Sequence, residues 1–496
     1  MPNHRFLVLC LLGFLVLGPA LGDQTAPAPA FKDAKAMPEG LKGERIRATI
    51  EAMNSGNPDL IRRFITEALT PQFRAAAPIE GHVEVMLGLL RETGGLDFYG
   101  VRTYTPERKG LIVVIAKDRN LGNWKALYFR FTEDAAVLIA GLNIQDAPPP
   151  PDLVESPLSE AQAVAEVKTA AAGLIAKGAF SGALLVAKGE TILFTQSGGE
   201  ASKAFHVPNN VDTKFNLGSM NKMFTSVAVA KLVEKGILGL DDPIGKYVDE
   251  SWLPKEVTAK ITIRHLLTHT SGLGSYFNEV YDRSSRALFR KLEDYKPLIK
   301  DDRPAFEPGS RFQYSNTGMF LLGVVIEKAT GEDYFDHIRK EIYGPCGMTN
   351  SDSYEMDIPV ENLAVGYSPD PKSPTGWRNN LYAHVIKGGP AGGGFSTVKD
   401  LHKFALALLG GKLIGGEILK TMWTDYKGSN YGYGFVVRQG PLGKVVGHSG
   451  GFDGINSNLD IHVERGYIVA VMSNVDRGAS PLAAKIGRVL GRIQSN

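Results

Sequence analysis

Ser219 and Lys222 stand three residues apart at the start of a helical pattern, in the stretch Phe215-Asn-Leu-Gly-Ser-Met-Asn-Lys222. Residues at i and i+3 share a helix face, so the lysine amine can reach the serine hydroxyl and take its proton, the arrangement of an activated nucleophile. Spacing alone does not decide the matter. A serine that opens a helix commonly caps it, and Ser396 and Lys399 repeat the spacing ahead of a second helical pattern. What separates the two pairs is the set of partners each has further along the chain.

The helix that would carry Ser219 is visible in its apolar positions. Met220, Met223, Phe224, Val227, Ala228 and Leu232 recur at helical spacing, and Gly236 offers a stop. This predicts Ser219 in the first turn, near the positive end of the helix dipole.

A chain of 496 residues, 43% hydrophobic and 22% charged, can build the cores of at least two domains. Its 55 basic and 53 acidic residues leave a net charge of +2, with no excess that would call for nucleic acid or an anionic membrane surface as partner. His4 and Arg5 precede an apolar run over 6–17, and small residues follow at 20–22. That pattern predicts a signal peptide over residues 1–22 and a secreted or periplasmic protein. No later stretch approaches the length of a membrane span, so no stable membrane insertion is expected after cleavage. Cys10 lies in the leader, which leaves Cys346 alone in the mature chain and excludes both an intramolecular disulfide and a cysteine metal site.

Residues 23–43 are rich in Ala and Pro and predict a tether. From 44 to about 91 the pattern is helical, with Asn57-Pro58 marking a helix start. Leu111, Val113 and Ile115, then Leu127, Phe129 and Phe131, alternate as half-buried strands do, and 137–142 makes another. Helices followed by a curled sheet over 44–145 resembles the NTF2-like cone fold. No convergent His, Asp and Glu set lies there, so a small α+β binding or docking module is expected, not a second active site. The run of four prolines at 148–151 makes 146–158 a stiff linker and a domain boundary. Residues 159–496 form the second domain. Strand patterns fall near both its ends, at 182–187, 191–195, 444–447, 455–463 and 467–473, between helices at about 159–177 and 481–490. The fold class expected is α+β, one antiparallel sheet assembled from both ends of the domain with helices packed over it.

Three further stretches join Ser219-Met-Asn-Lys222: Ile263-Arg-His-Leu-Leu-Thr-His-Thr-Ser-Gly-Leu273, Tyr314-Ser-Asn316 introduced by Phe306-Glu-Pro-Gly309, and His448-Ser-Gly450 just before Gly451. Together they resemble the serine β-lactamase and penicillin-binding-protein family, in its class C, D-amino-acid peptidase and esterase branch, over residues from about 180 to 475. The resemblance implies a β-lactamase/transpeptidase-like fold and an acyl-enzyme mechanism. It makes Ser219 the nucleophile and gives the proton work to Lys222 and Tyr314. Asn316, His448, Ser449 and Gly450 become substrate-binding residues, and the N–H groups of Ser219 and Gly451 the oxyanion hole. A tyrosine with an ordinary pKa of about 10 is a poor base unless a cation lowers it, so the primary base is either Lys222 or a Tyr314 assisted by it. Many relatives carry lysine where His448 stands, and an uncharged histidine there disfavours anionic substrates relative to a lysine.

Other matches to familiar patterns lack the required context. Tyr276-Phe-Asn278 repeats the Tyr-x-Asn spacing but precedes no clear helix, so a loop beside the site is expected. Thr397-Val-Lys-Asp400 looks like a helix cap, which removes Ser396. Gly447-His-Ser-Gly-Gly451 has the Gly-x-Ser-x-Gly spacing but is followed by strand, where a nucleophile elbow needs a helix. His265 and His269 are four apart, yet Leu266 stands where a zinc protease needs glutamate. The glycines at 392–394 lack the ending of a phosphate loop and are expected to form a flexible wall of the site. No metal and no cofactor is implied. The reading is an exported serine hydrolase acting on small esters, amides or peptides, as an esterase, D-amino-acid peptidase or weak β-lactamase. Its alternative is a penicillin-binding-like binding protein, weak in catalysis, whose N-terminal module carries the role.

Overall fold

The computed structural model describes residues 30–494 apart from Val154 and Pro371, so the expected signal peptide lies outside the described residues. The chain divides into two units between Pro157 and Leu158.

In the first unit, β1 (Ala30–Ala34), α1 (Gly40–Ser55), α2 (Pro58–Ala68) and α3 (Ile79–Thr93) precede β2 (Leu96–Thr105), β3 (Ile112–Asp118), β4 (Trp124–Phe131) and β5 (Ile139–Asp146). The five strands form one antiparallel sheet in sequence order. Asn57 caps α2 by accepting the N–H groups of Asp59 and Leu60, with Pro58 preset for the first helical position. Ile46, Ile61 and Ile65 from the helices meet Val114, Leu127 and Phe129 from the sheet in one core.

Two expectations are corrected here. Residues 30–34 are not tether but an edge strand, because alternate side chains find partners: Phe31 lies under the Arg102 guanidinium, 3.8 Å from its ring centre, and Asp33 forms a buried ion pair with Arg102 at 2.7 Å. The linker is also fastened where it leaves β5. Arg102 donates to the Pro148 carbonyl at 3.1 Å, and the Tyr99 hydroxyl donates to Asp152. A proline run has no N–H groups for a sheet but keeps its carbonyls, which a neighbouring guanidinium can take.

The second unit contains α4 (Glu160–Ala176), β6 (Gly182–Lys188), β7 (Thr191–Gly198), α5 (Asn221–Glu234), α6 (Asn316–Thr330), α7 (Val398–Leu409), β8 (Val436–Gly440), β9 (Gly443–Phe452), β10 (Ile455–His462), β11 (Tyr467–Ser473) and α8 (Ser480–Leu490). Its main sheet runs β8-β9-β10-β11-β6-β7, antiparallel throughout, so strands from the two ends of the unit meet where β11 pairs with β6. Ser159 and Gln162 close a capping box on α4. α8 packs on α4 and β11, and the turn that carries Ser219 packs on β9 and β10.

α5 departs from its expected amphipathic form. It is buried nearly all round, Thr225 and Ser226 included. The Thr225 hydroxyl is met inside by Tyr334 at 2.7 Å and by the Pro390 carbonyl at 2.8 Å, whereas the Ser226 hydroxyl is buried without a hydrogen-bond partner among the described residues.

Candidate active site

Ser219 sits in a tight 3-10 turn, Gly218–Met220, immediately ahead of α5 and not within the α-helix itself. Gly218 has φ +51°, and a Cβ there would stand 3.0 Å from the Gly451 nitrogen and 3.1 Å from the Gly450 Cα. A Cβ on Gly450 would meet the Leu217 carbonyl at 2.0 Å. These glycines let the turn and the end of β9 touch backbone to backbone. Asn216 holds the turn by accepting the Gly218 N–H at 2.8 Å, and Ser457 donates to the Leu217 carbonyl at 2.6 Å.

Lys222 is fully buried one turn further on. Its amine lies 3.0 Å from Ser219 Oγ and 2.9 Å from Asn316 Oδ1, and it also donates to the Ala391 carbonyl. The two carbonyl oxygens can only accept, so they take two N–H bonds and leave the third position of the nitrogen facing the serine. A neutral amine presents its lone pair there. No carboxylate among the described residues pairs with Lys222, and burial drives its pKa well below the ordinary lysine value.

Tyr314 lies beside this pair, its ring centre 4.8 Å from the lysine nitrogen, and a hydrogen bond links its side chain to Ser219. Burial pushes the phenol up, against a smaller downward pull from Ser219, so the hydroxyl keeps its proton. Asn316 opens α6, capped by Ser315, whose hydroxyl accepts the Gly318 N–H at 2.8 Å. The Asn316 amide donates to Ser275 at 3.2 Å. His269 fixes the segment from behind: its Nδ1 accepts the Ser315 N–H at 3.1 Å, and its ring lies 4.3 Å from that of Tyr314.

The third stretch requires a correction. His448 was expected to face substrate, but it is buried and both ring nitrogens are engaged, Nδ1 with the Ser449 carbonyl at 2.6 Å and Nε2 with the Tyr431 hydroxyl at 3.1 Å. Strand alternation exposes Ser449 and Gly451 and turns residues 448 and 450 inward. Burial, then the nearby Lys222, pushes the His448 pKa down to about 3, so the ring is neutral.

The structure separates the look-alikes from this cluster. Ser396 is fully buried and bonded to Ser351 at 2.8 Å, while Lys399 pairs on the surface with Asp212. Thr397 caps α7 by accepting the Asp400 N–H. Tyr276 packs among Phe277, Tyr295 and Phe320. Asn278, contrary to expectation, does start a helix, capping the short turn Glu279–Arg283. The glycine wall is fastened, not flexible: the Gly393 N–H donates to the Gly218 carbonyl, the Leu217 N–H to that of Gly394 and the Asn221 amide to that of Gly389. Ala391, Tyr431 and Asn221 were missed from sequence. A backbone carbonyl has no side-chain signature, and Tyr431 lies between motifs where nothing marks it.

This fold is that of β-lactamase/transpeptidase-like proteins. Residues 163–491 match the family model described as Beta-lactamase, and the chain belongs to that family. It is 31% identical over 312 residues to a penicillin-binding protein of Bacillus subtilis (strain 168), covering 60% of this chain and 68% of the relative. Esterase EstB of Burkholderia gladioli is 32% identical over 216 residues, which span 41% of this chain and 54% of the esterase. Among solved structures, a penicillin-binding protein from Bacillus halodurans superposes with a TM-score of 0.59 at 31% identity, over 64% of this chain and 98% of its own. A D-stereospecific amidohydrolase from Streptomyces sp. gives 0.54 at 26% identity, over 64% and 96%. The family is thus serine hydrolase-like, with penicillin-binding, esterase and amidohydrolase relatives. Among the described residues no helix is long and apolar enough to cross a membrane.

Proposed function

We propose that the second unit is an exported serine hydrolase that cleaves small, uncharged esters or amides, D-amino-acid amides among them, through an acyl-enzyme on Ser219. The observation that carries this reading is the Lys222 amine, buried with no carboxylate partner among the described residues and held 3.0 Å from Ser219 Oγ. Ser219 Oγ attacks the substrate carbonyl carbon while its proton passes to the lone pair of Lys222. The N–H groups of Ser219 and Gly451 hold the oxyanion. As the intermediate collapses, the bond to the leaving group breaks and that group takes a proton from Lys222 through the Tyr314 hydroxyl. Water then attacks the ester carbon, gives a proton back by the same route, and releases Ser219 and the acid.

Two features support an uncharged substrate. His448 is neutral where many relatives have a lysine. Phe277 and Phe452, half-buried with ring centres 5.8 Å apart, follow Ser275 and Gly451 and offer an apolar surface next to the site. The test is labelling with a fluorophosphonate and with penicillin, read by intact mass. One adduct that disappears in Ser219→Ala supports the proposal; folded protein that neither probe labels refutes it.

A further inference from the structure

Tyr314, His269, Tyr431 and His448 pack together, with no carboxylate among the described residues paired to any of them. The His269 ring lies 4.3 Å from Tyr314 and 4.7 Å from Tyr431, and Tyr431 in turn lies 5.7 Å from His448. Their proton positions follow from the partners. The Ser449 carbonyl can only accept, so His448 carries its proton on Nδ1 and its Nε2 is an acceptor. His269 accepts the Ser315 N–H on Nδ1, so its own proton is on Nε2, which has no hydrogen-bond partner. The Tyr431 hydroxyl, buried and bonded to nothing else among the described residues, therefore has one acceptor available for its proton, His448 Nε2 at 3.1 Å.

From this geometry we infer that Tyr431 is a positioning residue for substrate choice: by donating to Nε2 it locks His448 in the uncharged Nδ1–H form and withholds from the site the cation that would attract an acidic substrate. Protonating His448 would turn Nε2 into a donor facing the Tyr431 O–H and remove the acceptor to which that hydroxyl is bonded. The charged and titratable groups facing His448 are Lys222, His269, Tyr314 and Tyr431, and none of them is a carboxylate that would favour a positive charge on its ring. Loss of the hydroxyl frees Nε2 to take a proton and lets water reach it.

The inference rests on the proposed hydrolase reading, and its test separates the two. In Tyr431→Phe, kcat/KM for a nitrophenyl hemisuccinate relative to nitrophenyl acetate is expected to rise roughly tenfold as pH falls from about 8 to about 5.5, while the wild-type ratio stays flat. Adding His448→Gln to Tyr431→Phe is expected to abolish the rise. A flat ratio in a Tyr431→Phe protein that still labels at Ser219, or a parallel loss on both esters, would overturn the inference and leave the hydrolase intact. Nitrogen NMR of wild-type imidazoles needs neither activity nor a variant fold: a His448 that stays in the Nδ1–H form down to about pH 5 supports the lock, and one that titrates near its ordinary value of about 6.5 refutes it.

Discussion

Lys125 in the first unit and Lys222 in the second are both buried, and their surroundings make them opposites. Lys125 on β4 is 6% exposed and sits between Glu92 at 2.8 Å and Asp146 at 2.7 Å. Burial pulls its pKa down, but the two carboxylates outweigh that and the net shift is upward, so the nitrogen is a permanent charge. Lys222 is 0% exposed, with a serine, an amide oxygen and a backbone carbonyl for partners, and burial acts unopposed. Burial alone does not make a lysine into a base. What matters is whether the partners that satisfy its hydrogen bonds also carry charge.

The largest effects are expected from removing the base or the nucleophile. Ser219→Ala should eliminate acylation, and Lys222→Met should lower kcat/KM for a nitrophenyl ester by roughly a thousandfold or more. Lys222→Arg sharpens the point. Arginine supplies donors but cannot give up its proton, so it should be as inactive as methionine; substantial activity would show that the lysine acts as a cation.

A second variant converts one lysine environment into the other. Asn316→Asp puts a carboxylate where an amide oxygen now lies 2.9 Å from the Lys222 nitrogen. The new partner raises the lysine pKa, so less free amine is present at neutral pH. Activity should fall about a hundredfold there and recover as pH rises through the raised pKa. An equal loss at every pH would mean that Asn316 matters only through its contact with substrate.

The converse change belongs to the first unit. Lys125→Met removes the cation between Glu92, whose side chain is 10% exposed, and Asp146. Removing the cation paired with a nearly buried carboxylate should destabilise that unit by about 3 kcal/mol in thermal unfolding. Ser219 labelling in the second unit should be unchanged, and a loss of labelling would show that the units are coupled.

The acid side offers a smaller effect. His448 is held down to about 3, against about 6.5 in an unfolded chain. Between these values the unfolded state binds a proton that the folded state refuses, so stability falls as pH drops through this window. Denaturant titrations should show a pH slope steeper in wild type than in His448→Asn by up to about 1.4 kcal/mol per pH unit.

The contrast also shows what sequence can carry. Ser219, Lys222, Tyr314 and Asn316 are legible because their motifs stand in the order that the family resemblance implies, where spacing alone is repeated by look-alikes, and the middle of the sheet is legible because β6 and β11 are apolar runs bounded by turns. The features that set the chemistry are less visible. That Lys125 has carboxylates and Lys222 has none depends on contacts between residues 33 and 169 positions apart in sequence. β1 was hidden because its side chains pair with β2 far down the chain, and the inward turn of His448 depended on a strand register that its motif does not state.

The smallest effects should come from the look-alike residues. Ser396 has the spacing of a nucleophile, but its hydroxyl is spent on Ser351 at 2.8 Å, and the lysine three residues on is held at the surface by Asp212. In Ser396→Ala the Ser351 hydroxyl keeps its bond to Asp400 at 2.9 Å, so about 1 kcal/mol of stability is at stake and no step of acyl transfer. Tyr276 packs its ring against Tyr295 and Phe320, contacts that phenylalanine reproduces. Both Ser396→Ala and Tyr276→Phe should keep kcat/KM within about twofold of wild type, because neither side chain touches the Lys222 nitrogen whose protonation governs the rate. If either loses activity on the scale of Lys222→Met while remaining folded, the base lies elsewhere and the comparison of the two lysines fails.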